Sequence, residues 1–563
     1  MLLLVVVLAA APLALRGTSC GHDTDFHLQN WIEIAASWHQ GIFYPHWALS
    51  PNYLAGEPRF IFYPPLSWLL GGLLGLLLPW RFATLAFTLI ALLGAGFGFR
   101  AMACEWMPEE NANLAACLYI ANPYMLFAAY ERGAMAELLA AAWLPLLVLY
   151  GLRQKRAVIP LALSIAAVWL TNAPAAVMGC YMLAALVAVA SLEAKSWRLV
   201  ARAATAVPLG LGLAAFWLVP AICEQRWVEI NRAIGPLMSV DSSFLFGWVD
   251  PSRFPPSETF GVMFHNHVLR KVSWISVSLM AATGLAALFA RRRRSPLWTP
   301  LVVVAVAICI LQFRWTAPVW RLIPKLLFLQ FPWRWMAVLG LIFAMLVGLA
   351  LKQHTQSRHA LSLSALLLSL LACELAVMCS LMFWQPCDFE DNPGAQVATF
   401  HNNGFGGADE YTPIPADNSE VQQGLPAVRL LRTPNAEEAS SGDNPDWTTD
   451  PAQELPASVK VERWNASEMA AVVTAPQPGY AVLRFMDYPA WRVTANGAPV
   501  ADLIRRDDGL MVIPVSAGTT QIYIHWQRTK DEWYGIAVSF AALAVTLATG
   551  LMERRRISGN RIG

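Results

Sequence analysis

Apolar runs long enough to span a bilayer recur near residues 82–104, 114–130, 137–151, 203–221, 272–290, 333–351, 360–383 and 534–552. Each approaches the roughly 20 residues that an α-helix needs to cross hydrocarbon. Shorter candidates are 1–15, 157–171, 174–191 and 297–312, while the apolar stretch 61–79 is interrupted by Pro64-Pro65 and Gly71-Gly72. Beyond residue 384 the period changes. The opening of that segment is rich in Gly, Asn, Pro and acids and reads as irregular. Further on, apolar residues alternate at Val459 and Val461, Leu483 and Phe485, Trp491 and Val493, then Ile522, Ile524 and Trp526. Turn residues punctuate them at Pro478-Gly479, Asn496-Gly497 and Ala517-Gly518, a pattern that predicts antiparallel strands in a compact β-sandwich.

Five basic clusters set the expected orientation: 153–156, Lys195 with Arg198 and Arg202, 291–294, Lys352 with Arg358, and 553–556. Lys and Arg concentrate in cytoplasmic loops. All five fall on one side only if 157–171 and 174–191 each cross and 61–79 does not. Parity then predicts twelve crossings, with both termini cytoplasmic and 61–79 re-entrant or lying at the interface. The alternative is that 61–79 spans and a shorter helix does not. The first segment has no basic leader and no small-residue cleavage site, and reads as an uncleaved anchor. The expected organisation is a transmembrane domain, 1–383, with a large first outer loop at 16–81. An outer, mainly β domain follows at 384–532, then a last helix and basic tail at 533–563. The remaining outer segments are 131–136, 222–271 and 313–332.

Composition agrees: 56% of residues are hydrophobic and 14% charged, with a mean hydropathy of +0.45, too apolar for a soluble globular chain. Many of the 24 tryptophans flank apolar runs, as in an interfacial belt. A net charge of +2, with basic residues in short juxtamembrane clusters, gives no reason to expect nucleic acid as a partner. The nine cysteines lack metal-ligand spacing and read mostly as small buried hydrophobes. Cys20, Cys223 and Cys387 fall on the expected outer side, with no pairing specified.

The first outer stretch, HDTDFHLQNW at 22–31, sets Asp23, Asp25, His22 and His27 directly after an apolar helix. Acids at such a boundary are costly and mark a functional site. Asp23 and His27 are four apart and share a helical face, an arrangement suited to general-base work. The competing structural role is an N-cap by Asp23 or Thr24. A second cluster, YERGAMAE at 130–137, holds Glu131, Arg132 and Glu137 in a loop too short to be a spacer. These side chains suit an anionic head group and its hydroxyls, or else an interfacial salt bridge. Segment 313–334 places Arg314, Arg321, Lys325 and Arg334 outside, against the positive-inside bias. A surface phosphate is one reason for that, and snorkelling in an aromatic belt is the other. His265-Asn266-His267 is a weak metal hint, and Glu374 is the clear acid within a span.

The apolar first helix, the acid that opens the first outer loop, the GIFYPHW turn and the YPPL segment resemble the GT-C superfamily of membrane glycosyltransferases. More closely, DTDFH, YERGAMAE, LQFPWRW, GGADEYTP and YPAWRVTANG resemble the bacterial multi-pass family labelled "6-pyruvoyl-tetrahydropterin synthase related". Nothing in the chain looks like the soluble zinc-dependent pterin enzyme of similar name. The resemblance implies a GT-C-like membrane domain with an outer β domain, a polyprenyl-phosphate sugar donor and a location in the bacterial inner membrane. The superfamily's first-loop acid falls on Asp23 or Asp25, and its second-loop acid on Glu131 or Glu137. Only Asp23-Thr24-Asp25 forms a DxD, so a divalent metal stays open and no other cofactor is implied.

The sequence reading is therefore an inverting membrane glycosyltransferase that modifies an envelope glycan or lipid on the outer face. Asp23 or Asp25 would be catalytic, and His27, Glu131, Arg132, Glu137, Arg321 and Arg334 would bind substrate. The rival is a non-enzymatic flippase, transporter or envelope-assembly protein. A transporter would line a mid-membrane path with ionisable groups, whereas here the acids gather at the outer edge.

Overall fold

The structure is a computed structural model that describes residues 1–153, 157–292, 295–351, 358–434, 437–439, 447–449, 453–501 and 503–559. For 358–365, 437–439, 447–449 and 552–559 it describes the backbone alone. Residues 154–156, 293–294 and Lys352 of the orientation clusters lie outside the described residues, as do the side chains of Arg358 and 553–556.

Among the described residues, seven helices are long and apolar enough to cross a membrane: Trp80–Ala103, Met135–Leu152, Ala173–Glu193, Pro256–Arg291, Pro332–Ala350, Leu366–Phe383 and Lys530–Leu551. Three further candidates are pairs of helices bent at a short break. That makes seven to ten candidate spans, and three shorter apolar helices, Leu2–Arg16, Pro65–Leu77 and Val158–Thr171, fall on the remaining apolar runs. The bends have local causes. Glu109–Ile120 and Pro123–Tyr130 meet at 43° where Pro123 cannot continue the ladder, and Asn122 caps the new start by accepting from the Met125 amide. Trp298–Leu311 turns through 100° into Arg314–Leu322, so the second arm departs sharply from the axis of the first. Large apolar side chains such as Leu3, Trp274, Phe289 and Phe540 stay exposed, as a lipid-facing surface requires.

The stretch 61–79 forms the 13-residue helix Pro65–Leu77. At 1.5 Å per residue that is about 20 Å against hydrocarbon about 30 Å thick, and Val158–Thr171 and Leu2–Arg16 are only one and two residues longer, so length alone does not separate the three. Gly71-Gly72 does not interrupt it, contrary to the sequence reading. A Cβ on Gly71 would lie 2.2 Å from the Trp31 ring, and one on Gly72 would lie 2.6 Å from Ile34. The two glycines let this helix press against Thr24–His39, and the break falls instead at Pro64.

The C-terminal region is antiparallel β structure. Its strands are β1 Val428–Leu431, β2 Glu437–Ala439, β3 Trp447–Thr449, β4 Ser458–Trp464, β5 Glu468–Ala475, β6 Gly479–Met486, β7 Trp491–Ala495, β8 Ala498–Pro499, β9 Leu510–Val515 and β10 Gly518–Trp526. They form a three-stranded sheet, β1-β6-β9, a five-stranded sheet, β4-β5-β10-β7-β8, and the β2-β3 ribbon. Apolar residues of the two larger sheets share one core, among them Leu430, Val473, Phe485, Val493, Ile513 and Ile524. β7 and β8 join through Asn496-Gly497, both at positive φ (51° and 78°), as a tight hairpin requires. The alternation missed β1 and β9, whose buried runs lack a period of two, and also β5, whose burial alternates but whose inward positions include the small residues Ala471 and Ala475.

That core is shared with the first outer segment. Trp47, Ala55, Ile61 and Phe62 belong to it, and Trp47 packs on Phe485, Tyr488, Trp491 and Trp526. The chain between the last bundle helix and β1 also returns to the bundle. Cys387 is disulfide-bonded to Cys20, and helix Pro393–Asn402 packs against Thr24–His39. Cys223 is a free thiol.

Candidate functional site

Two short loops are locked together at one end of the bundle. The His22 amide donates to the Glu131 carbonyl at 3.1 Å and the Asp23 amide to the Arg132 carbonyl at 2.7 Å. Small residues make this approach possible. A Cβ on Gly21 would meet the Glu131 and Tyr130 carbonyls at 2.5 Å, and one on Gly133, at φ +63°, would lie 2.0 Å from Thr24 Oγ1. The disulfide fixes the same loop from the other side, with the Cys20 amide donating to the Gln385 carbonyl. HDTDFH and YERGAMAE thus form one unit.

Asp23 occupies the N-cap position of helix Thr24–His39 without making a side-chain cap hydrogen bond. Thr24 Oγ1 likewise turns away, donating to the Ser19 carbonyl. The capping explanation for these residues therefore fails. Asp23 Oδ2 instead accepts from Arg132 Nη2 at 3.1 Å, and Arg132 Nη1 reaches Glu137 Oε2 at 2.6 Å. Glu137 also accepts from Tyr124 OH at 2.7 Å and lies 3.6 Å from Arg334 Nε. Arg132 stacks its guanidinium on Trp333 at 5.2 Å. It is 4% exposed and Glu137 6%, while Asp23 keeps 43% of its side chain accessible. Burial pulls the Arg132 pKa down, and the Glu137 and Asp23 carboxylates more than offset it, so its pKa is raised. The outcome is a buried, permanently charged arginine that presents one accessible carboxylate.

That carboxylate opens into a cavity of about 620 Å³ lined also by His27, Arg132, Glu137, Arg334 and His265. The lining comes from 22–27, 62–64, 132–137, 172–174, 230–238, 261–269, 328–334 and 410–411. Every one of these lies at the bundle end that the sequence reading assigned to the outer side. Arg334 is held by the Leu329 carbonyl and Gln330 Oε1, both at 3.0 Å, and stacks on Phe331.

The other sequence candidates lie apart from this centre. Asp25 folds back to accept from the Phe26 amide at 2.7 Å and does not line the cavity. Burial raises its pKa. Glu131 is buried and paired with Lys271 Nζ at 2.6 Å, behind the cavity wall. Arg321 is exposed and makes a two-oxygen contact with Asp241 at 2.8 and 3.0 Å, away from the cavity. Glu374 is exposed on its helix. His265 faces the cavity with Nε2 3.1 Å from the Ser242 carbonyl, whereas His267 points to the exposed side. Among the described residues no group of three His, Cys, Asp or Glu converges in a metal-holding arrangement. With Asp25 turned away and Asp23 held by Arg132, the donor set around Asp23-Thr24-Asp25 does not fit a divalent cation.

Sequence reasoning missed Tyr63, Lys271, Trp333 and Glu410 as members or supports of the site. Trp333 and Glu410 lie inside LQFPWRW and GGADEYTP, where no local pattern shows which residue turns inward. Lys271 carried a signal: it is a cation at the expected outer end of a crossing.

Burial pushes the pKa of both His22 and His27 down to about 4, against the attraction of Asp23. His27 is 4% exposed among Phe26, Trp31 and Tyr63. The unfolded chain binds more protons at this position between pH 6.5 and about 4, so this histidine costs the fold stability as pH falls through that window. The cost approaches about 3 kcal/mol below the folded pKa. Relative to wild type, His27→Gln is expected to gain thermal stability progressively as pH is lowered from 6.5 to 4. A melting-temperature difference independent of pH would show that His27 is not held neutral.

Solved structures similar to this chain include the following two. One is ArnT from Cupriavidus metallidurans bound to undecaprenyl phosphate, at 14% identity and a TM-score of 0.41, covering 70% of this chain and 76% of that one. The other is the arabinofuranosyltransferase AftD from Mycobacteria, at 13% identity and a TM-score of 0.45, covering 94% of this chain. The chain spans 57% of the length of AftD. No curated protein matches it. The family model described as "6-pyruvoyl-tetrahydropterin synthase related domain; membrane protein" matches residues 60–384, more than half of the chain, and the protein belongs to that membrane family.

Proposed function

We propose that this protein is a GT-C-like membrane glycosyltransferase of the bacterial inner membrane. In this reading it transfers a sugar from a polyprenyl-phosphate carrier to an envelope glycan or lipid on the outer face, with both termini cytoplasmic. The observation that carries the reading is the accessible carboxylate of Asp23 in a cavity that also presents Arg132 and Arg334. Asp23 accepts the proton of the acceptor hydroxyl as its oxygen attacks the anomeric carbon. The bond from that carbon to the carrier phosphate breaks in the same displacement, with inversion. Negative charge gathers on the departing phosphate, where fixed cations lower the barrier because they need no reorganisation. Arg334 serves that role, and Arg132 holds Asp23 in place. The Cys20–Cys387 bond supports an oxidising outer side for this end of the bundle.

The rival transporter reading calls for ionisable groups along a mid-membrane path. Another cavity, between helices Thr259–Arg291 and Trp298–Leu311, is lined by residues such as Met280, Ala287, Val302 and Ala305 and holds no charged side chain. A deletion strain is expected to accumulate both a polyprenyl-phosphate sugar and an envelope glycan lacking that sugar, read by mass spectrometry of the lipid and glycan fractions. Accumulation of a complete glycan on the cytoplasmic leaflet would favour the transporter and sink the enzyme.

A further inference from the structure

Beyond Asp23 and Glu137, the cavity has a third carboxylate, Glu410, that the displacement above does not use. Glu410 and Tyr411 lie on the 3-10 turn Asp409–Tyr411 and form part of the cavity wall. The turn is anchored on both sides. The Ala408 amide donates to Glu57 Oε2 at 3.0 Å, and the Glu229 amide donates to the Thr412 carbonyl at 3.0 Å. Glu57 is itself fully buried against Arg59, whose Nε lies at 2.5 Å. Gly407 packs so closely on Asn52 that a Cβ there would lie 1.7 Å from Asn52 Oδ1.

The neighbouring acids are committed elsewhere. Glu57 is bound to Arg59 and the Ala408 amide, and Asp409 accepts from Asn418 Nδ2 at 3.1 Å. Among the described residues, the part-buried Glu410 carboxyl accepts from its own backbone amide and has no hydrogen bond or ion pair with another side chain, and burial raises its pKa. A carboxylate has about four lone-pair sites, so one that accepts a single local amide keeps acceptor capacity for a ligand in the cavity. Beside it, Tyr411 stacks on Phe62 with centroids 5.8 Å apart and planes within 6°. An acceptor with spare lone pairs beside two aromatic side chains in the same cavity wall suits a ring that carries both hydroxyl donors and apolar C–H groups.

We infer that Glu410, with Tyr411 and Phe62, forms a subsite that binds the sugar hydroxyls of the acceptor glycan. This inference rests on the glycosyltransferase reading and places the acceptor against the segment that leads into the β sheets. The carrier phosphate then belongs to the arginine side of the cavity. Glu410 touches substrate and takes no proton in the reaction.

The test uses the full chain in lipid nanodiscs and two probes followed by tryptophan fluorescence. One probe is undecaprenyl phosphate. The other is the oligosaccharide pool released by mild acid from the envelope of a strain lacking this gene, which holds unmodified acceptor. The wild-type protein is expected to bind both. Glu410→Gln and Glu410→Ala are expected to bind undecaprenyl phosphate as wild type does, which verifies the fold, and the oligosaccharides about tenfold or more weakly. Glu410→Asp, which keeps the charge, is expected to recover part of that loss. Oligosaccharide binding at wild-type affinity in the Gln and Ala variants overturns the subsite. Wild-type binding of undecaprenyl phosphate alone also overturns it but leaves the glycosyltransferase reading standing. Binding of neither probe overturns both.

Discussion

Asp23→Asn is expected to lower turnover by about a hundredfold to ten-thousandfold, the usual cost of losing a general base. Fold and abundance in the membrane should be little changed. The substitution is nearly isosteric and leaves Arg132 its stronger partner, since Glu137 lies at 2.6 Å against 3.1 Å for Asp23. An effect on helix capping cannot account for a loss, because the Asp23 side chain makes no cap bond and Asn caps as well as Asp does. Asp25→Asn is the internal control: its carboxyl serves the Phe26 amide and does not line the cavity, so turnover should stay within a few-fold of wild type. Complementation of a deletion strain, with membrane levels verified by blotting, separates these outcomes. Full complementation by Asp23→Asn at normal abundance removes Asp23 from the chemistry. Loss with Asp25→Asn alone would transfer the role to that residue.

The membrane architecture was legible because each crossing leaves a one-dimensional trace, a run of apolar residues as long as the bilayer is thick. The bends were less so. Pro123 announces one, but across the 100° turn after Leu311 the tie joins residues 9 positions apart, the buried Trp320 indole donating to the Leu311 carbonyl at 3.1 Å. Gly71-Gly72 illustrates the ambiguity of glycine, which reads as a breaker in sequence and is a contact surface in the fold. At the site, HDTDFH and YERGAMAE stood out because charge at an apolar boundary is expensive. What they do to each other was hidden. The bond from Asp23 to Arg132 joins residues 109 positions apart, and only the glycines at 21 and 133 bring the two loops into register. Spacing favoured Asp23, which shares a helical face with His27, but left Asp25 open as the alternative. The fold separated them by turning one carboxyl outward and the other onto its own backbone.

Arg132→Met is expected to destabilise the protein by about 3–5 kcal/mol, the cost of leaving a buried charge without its partner. Met keeps the aliphatic stem and removes the guanidinium, so the loss combines a stranded carboxylate with lost packing on Trp333. Glu137, at 6% exposure, would keep the Tyr124 hydroxyl at 2.7 Å and a more distant Arg334 at 3.6 Å. Neither compensates for a bidentate-capable guanidinium that also stacks on Trp333. Glu137→Gln in the Arg132→Met background should recover part of the loss, because it removes the stranded charge, and that non-additivity distinguishes an ion pair from a packing defect. Arg321→Met is the matched surface control. Its pair with Asp241 is 60% and 52% exposed, so its removal should cost less than about 1 kcal/mol. Unfolding in mixed micelles measures all four proteins on one scale. Equal stability of Arg132→Met and Arg321→Met would mean that water reaches the Asp23–Arg132–Glu137 network, and with it the claim that Arg132 rigidly holds the catalytic carboxylate would fall.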